Sequence, residues 1–171
     1  MLDIRRLPID HPDAERLIAG LYAFYGERYG DEGDETVVAT TDFAPPEGAF
    51  FVGYVDELPV ACGGWRARDA DPADPEVHDG DAEFKRMFVL PAWRGRGLAR
   101  TMLAALEGSA AAAGRGRAIL ETGTPQSEAI RLYVAAGYTR IRPFGHYRSS
   151  PLSRCYAKQL VSASTPEPIR L

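Results

Sequence analysis

A strand-like run ends at Val89 and leads into Leu90-Pro91-Ala92-Trp93-Arg94-Gly95-Arg96-Gly97-Leu98-Ala99, after which apolar residues recur at helical spacing. A turn of this composition ahead of a helix has the parts of a phosphate cradle. The first backbone N–H groups of a helix have no intrahelical partner, and the helix dipole leaves partial positive charge there. Glycines at 95 and 97 let the backbone approach a ligand with no Cβ in the way, while Arg94, Arg96 and Arg100 surround it with cations. The same two glycines would also suit a tight strand-to-helix turn with no ligand. The spacing matches neither the GxxxxGK[ST] of a P-loop nor the GxGxxG of a dinucleotide fold.

The elements that must hold this turn can be read along the chain. Leu2–Leu7 reads as an opening strand. Asp10 reads as the N-cap of a helix with Pro12 in its first turn and Leu17, Ile18, Leu21, Tyr22 and Tyr25 on one face. Gly30–Glu35 reads as a mobile loop. Ala49–Val55 and Pro59–Arg68 flank Asp56-Glu57 as a hairpin, and Asp69–Asp81 is a loop rich in Asp and Pro. Ala82–Val89 is the strand that feeds the glycine turn. A helix from 97 to 113 follows, with Leu98, Met102, Leu103 and Leu106 inward, and Gly114 and Gly116 end it. Then come a strand at 118–122, a helix at 126–136 closed by Gly137, and strands at 138–141 and 154–160. The order β-α-β-β-β-α-β-α-β-β makes an α/β (α+β) domain around one mixed sheet. Residues 1–161 are expected to form that single domain and 162–171 a flexible tail.

Composition narrows the function classes. The chain has 171 residues, 45% of them hydrophobic, and a net charge of −4, which is globular and large enough for a core without staples. No apolar run approaches the roughly 18–20 residues needed to span a bilayer. The first residues have no signal-peptide core, so a cytoplasmic protein with no membrane partner is expected. Cys62 and Cys155 lie far apart and read as small core residues, so neither a disulfide scaffold nor a cysteine metal site is expected. An acidic domain without aromatic-interleaved basic runs is a poor nucleic-acid binder. Charge is nonetheless segregated, with 16 acidic against 3 basic residues from Glu27 to Glu83, and 7 basic against 1 acidic from Lys85 to Arg117. Such a split suits an anion site beside a surface that prefers cations, or two solvated faces.

Three stretches together resemble the GNAT superfamily of acetyl-CoA-dependent N-acetyltransferases. Arg94-Gly95-Arg96-Gly97-Leu98-Ala99 is similar to its [QR]-x-x-G-x-[GA] pyrophosphate loop. Ala82–Val89 is similar to its central strand. Ala129-Ile130-Arg131-Leu132-Tyr133, followed by Gly137-Tyr138, is similar to its A-x-x-L-Y-x-x-x-G-F helix. The resemblance is strong over 82–141. It implies two parallel strands that splay apart, with acetyl-CoA in the gap. The backbone at Met87, Phe88 and Val89 would pair with the pantetheine arm, and residues 94–99 would hold the pyrophosphate. Gln126 stands where members often carry Asn, and is included as a cofactor contact.

The resemblance also suggests roles in proton transfer. Glu83, which interrupts an apolar strand, matches the catalytic glutamate of some members and would act as general base, directly or through water; it could instead be a structural carboxylate paired with Arg86 or another arginine. Tyr133 matches the tyrosine that often acts as general acid; it could instead pack with Ile130, Val134 and Gly137. His11 and His78 read as surface residues, and His146 sits in a loop that could border the substrate pocket. No metal is implied. The expected reaction is acetylation of a small cationic amine or amino-bearing metabolite. A protein N-terminal or lysine acetyltransferase, and an acyl-CoA-binding module with little turnover, remain open, as does a homodimer.

Overall fold

A computed structural model describes residues 1–30 and 38–160. The expected mobile loop after Gly30 and the expected tail at 162–171 fall outside the described residues. The elements run β1 (Asp3–Arg6), α1 (Pro12–Tyr29), β2 (Gly48–Val55), β3 (Leu58–Arg68), β4 (Asp81–Val89), α2 (Leu98–Ala112), β5 (Arg117–Gly123), α3 (Ser127–Ala135), β6 (Thr139–Ile141) and β7 (Ser153–Gln159). Short 3-10 turns occupy Thr40–Phe43 and Pro91–Trp93. This is the order read from the sequence.

Local chemistry accounts for the boundaries. Pro12 takes the first helical position of α1, so the cap falls on His11, whose Nδ1 accepts the Asp13 N–H at 3.2 Å. The expected cap at Asp10 is therefore one residue too early. Asp56 and Glu57 turn the β2–β3 hairpin with φ of 49° and 61°, the left-handed pair that matches strand twist in a two-residue loop.

One seven-stranded sheet has the order β1-β2-β3-β4-β5-β7-β6. Among its neighbours only β4 and β5 are parallel. On one face of the sheet, α2 buries Met102, Leu103, Leu106 and Ala110 against Phe84, Leu120 and Trp65. The Trp65 indole N–H donates to Ser109 Oγ on α2 at 3.0 Å, so the buried ring keeps a polar partner. On the other face, Leu17 and Leu21 of α1 pack on Phe50, Val52, Cys62 and Phe88. Tyr22, expected on that inner face, is 37% exposed and lies beneath the Arg86 guanidinium at 5.3 Å.

The parallel pair is short. Its register runs from Asp81↔Arg117 to Phe84↔Leu120 and stops there, although both strands continue. Two causes pull the strands apart. β5 stays paired with β7 along its whole length, from Arg117↔Gln159 to Gly123↔Ser153. β4 stays paired with β3 but takes a bulge, since Cys62 faces Phe88 while Gly64 faces Lys85. Arg86 sits in the bulge with φ of 59°, which costs a non-glycine residue about 1–3 kcal/mol. The Cys62 thiol donates to the Arg86 carbonyl at 3.3 Å on the buried side of the bend. At the closed end, Arg117 makes a two-pronged bond to the buried Asp81, with Nε and Nη2 at 2.8 and 2.7 Å from its two oxygens.

Candidate active site

The gap between β4 and β5 has the glycine turn at its outer end. Leu90 N–H donates to the Val60 carbonyl at 2.9 Å. By the two-residue alternation of a strand, the N–H and C=O of Val89 therefore point away from β3, toward the gap. Arg94 Nε reaches back to that Val89 carbonyl at 3.1 Å while its guanidinium lies 4.5 Å over Phe24. Side chains at 87–89 are occupied with packing: Phe88 under α1, Met87 and Val89 on the α2 side. Gly95 and Gly97 have φ of 74° and 76°, and a Cβ at either would meet open space. Gly97 caps α2 without a side-chain bond, and the first helical bond is Thr101 N–H to the Gly97 carbonyl at 3.1 Å. The N–H groups of Leu98, Ala99 and Arg100 are thus left without intrahelical acceptors, beside the exposed Arg96 and Arg100. A pyrophosphate fits such a turn.

At the inner end, where the strands part, a cavity of about 550 Å³ opens on the α1 side. Its walls come from the 3-10 turn at Thr40–Phe43, the end of β3, the β3–β4 loop, and the β6–β7 loop with Gly145, His146 and Arg148. Glu83, Lys85 and Glu121 form its floor. The loop around His146 does border the pocket, as the sequence suggested.

Glu83 is deeply buried, with 5% of its side chain exposed. Its Oε2 accepts Arg66 Nε at 2.8 Å and Arg68 Nη1 at 2.7 Å, and Lys85 Nζ stands 3.5 Å from Oε1. Burial alone would raise this carboxyl, but Lys85, Arg66 and Arg68 outweigh it and hold the group below the usual carboxylate range. The partner is not Arg86, whose guanidinium lies over Tyr22, but Arg66, the direct cross-strand neighbour of Glu83. Glu121 stands on the next strand with no ion pair among the described residues. Burial pushes its carboxyl up to about 7, against the lowering by Lys85 and Ser153 and together with the repulsion of Glu83.

Tyr133 projects from α3 and is buried against the rings of Tyr138 and Tyr156, with centroids at 5.7 and 6.4 Å. Val134, proposed as a packing partner, is 56% exposed, because adjacent residues on a helix face about 100° apart. Burial pushes the Tyr133 phenol up to about 12. Gln126 is committed to the protein: its Nε2 donates to the Tyr29 hydroxyl at 2.8 Å. Arg28 Nη1 donates to the Pro125 carbonyl at 2.6 Å, so the end of α1 is fastened across the β5–α3 turn.

The sequence profile of the Acetyltransferase (GNAT) family matches residues 14–138. The chain belongs to the GNAT family. An IAA acetyltransferase of Azospirillum brasilense is 36% identical to this member over 145 residues, 85% of this chain and 89% of that protein. A crystal structure described as an acyl-CoA N-acyltransferase, from Klebsiella pneumoniae, superposes with a TM-score of 0.74 at 28% identity, covering 94% of this chain and 99% of that one. PaiA N-acetyltransferase of Thermoplasma acidophilum, solved in complex with coenzyme A, shares the fold: TM-score 0.68, 14% identity, 93% and 99% covered.

This GNAT protein is therefore an acyltransferase that draws its acetyl group from acetyl-CoA. The residues present fit that donor: an open glycine turn with unpaired N–H groups, and strand edges that face a gap. The residues named from the sequence converge on this region, with 87–89 and 94–99 along the gap, Glu83 in the cavity floor, and Tyr133 on the helix after β5. Sequence reasoning passed over Glu121 and Tyr29. Glu121 carried the same signal as Glu83, a carboxylate inside an apolar run, Ala118-Ile119-Leu120-Glu121. No helix among the described residues is long and apolar enough to cross a membrane.

Proposed function

We propose that this enzyme acetylates the primary amine of a small cationic metabolite by direct attack on the acetyl thioester. The observation behind this reading is the charge around the cavity. Among the described residues its lining carries six carboxylates against four Lys or Arg side chains. Arg66, Arg68 and Lys85, three of those four cations, are drawn onto Glu83. That leaves Glu47, Asp71, Asp74 and Glu121 without an ion pair among the described residues, lining the space where an acceptor would sit. A walled cavity of this size suits a small molecule better than a protein terminus.

Acetyl-CoA supplies the activated acetyl group; the protein holds its phosphates at residues 94–99 and moves protons at the inner end. Tyr133 is the proposed donor to the departing sulfur. A phenol held near 12 is fully protonated at neutral pH, yet too weak an acid to give its proton away alone. It can act as a relay, passing its proton on while taking the one that the nitrogen sheds as it becomes an amide.

Thiol release from acetyl-CoA, followed across matched amines that differ only in an added positive or negative group, tests the acceptor class. The cationic member should be preferred, and moderate salt should narrow the preference. Preference for the anionic member, or a preference indifferent to salt, overturns it. The 36% identical relative favours a second reading, IAA as acceptor, and thiol release with IAA as a separate substrate tests it.

A further inference from the structure

We propose that Glu121, rather than Glu83, removes the proton from the acceptor ammonium in this active site; the assignment rests on the amine-acetylation reading above.

Position is the first argument. The β4–β5 ladder ends at Phe84↔Leu120, so Glu121 is the first β5 residue beyond it, at the point where a thioester in the gap would meet an acceptor in the cavity. By strand alternation its side chain shares the face of Ile119, which packs toward Phe144 of the β6–β7 loop and away from α2. It lines the cavity.

Availability is the second. An acceptor of protons needs lone pairs not already claimed and an affinity near the working pH. Glu83 has neither, since Arg66 and Arg68 both donate to its Oε2 and Lys85 approaches Oε1. Glu121 has both. The groups around it can be named. Glu83 and Lys85 face it from β4, Ser153 and Cys155 from β7, and Tyr25 and Tyr29 from α1. Arg66, Arg68 and Asp74 share the cavity from the β3 side, as do His146 and Arg148 from the β6–β7 loop. Glu83 and Asp42 set two negative charges against the three of Arg66, Arg68 and Lys85, so the floor beside Glu121 is a fixed ion-pair cluster with one positive charge in excess.

The step balances. Glu121 carboxylate takes one proton from R–NH₃⁺. The nitrogen lone pair then forms the N–C bond as the C–S bond breaks. Tyr133 hands its proton to the sulfur and is restored by the second nitrogen proton, and the proton on Glu121 passes to solvent.

The test is the pH dependence of kcat/KM, from pH 5.5 to 9, for an accepted amine that ionises near 10. Wild type should fall off below about pH 7. Glu121→Gln should lose about 10²–10⁴ in rate at neutral pH and shift the acidic limb to the ionisation of the amine itself, with acetyl-CoA affinity kept. Lys85→Met removes the cation that lowers Glu121, so the limb should move to higher pH, which a merely structural role would not produce. A Glu121→Gln enzyme with the wild-type limb and rate overturns the proposal, as does a Lys85→Met limb that stays in place or moves to lower pH. Wild type that acetylates no amine overturns the acceptor reading itself, so the two failures are distinct.

Discussion

The Gln126 amide donates to the Tyr29 hydroxyl at 2.8 Å, and with the Arg28 bond to the Pro125 carbonyl it joins the last turn of α1 to the turn that opens α3. These residues lie 97 positions apart. Gly123 makes the approach possible, because a Cβ there would overlap the Tyr29 hydroxyl and ring. Tyr29→Phe should cost about 0.5–1.5 kcal/mol, the worth of one hydrogen bond. Gly123→Ala should cost more, about 1–3 kcal/mol, because the ring must move. Denaturant titration of both variants checks the order; an equal cost would mean that the close approach does not matter.

The glycine turn is a binding site only if charge there matters. Gly97 has φ of 76° and open space around it, so Asn and Asp, which tolerate the left-handed region, should both fold at a cost of about 1–2 kcal/mol. Gly97→Asp should weaken acetyl-CoA binding far more than Gly97→Asn, since only the carboxylate repels a pyrophosphate. Calorimetric titration of the pair decides it, and equal affinities would remove the pyrophosphate from this turn.

Tyr133→Phe removes one hydroxyl and keeps the ring that packs on Tyr138 and Tyr156. Folding and acetyl-CoA affinity should survive while kcat falls by about 10²–10⁴. Wild-type turnover in this variant would leave the tyrosine with a packing role alone.

Glu83 and Glu121 should pull stability in opposite directions with pH. Glu83 is lowered in the folded state, so its contribution is present above the unfolded value near 4.5 and disappears as pH falls through its folded value. Glu121 is raised from 4.5 to about 7, so it binds a proton more tightly when folded and destabilises the fold progressively as pH rises through that window. Glu121→Gln, uncharged throughout, should melt above wild type at pH 8 and close to it near pH 4.5. Glu83→Gln should melt well below wild type at pH 8, because it leaves Arg68 without a carboxylate and Arg66 with Asp42 alone, a loss of about 3–5 kcal/mol for a buried pair. Differential scanning calorimetry at the two pH values checks both signs.

The sequence by itself determined the local devices: element order, helix phases, the hairpin at Asp56-Glu57, and the glycine turn at 95–97. Each is written in neighbouring residues, because a backbone turn or an amphipathic stripe is set within a few positions. The family-like loop was legible for the same reason. What the carboxylates do was not legible. Glu83 and Glu121 look alike in sequence, each a lone acid in an apolar strand. Only the β3–β4 register places Arg66 opposite Glu83 and brings Arg68 to the same oxygen, and only the end of the β4–β5 ladder leaves Glu121 facing a cavity without a cation of its own. Proton affinity depends on charges within a few ångströms, and those neighbours come from strands, a helix and a loop that the chain brings together only when it folds.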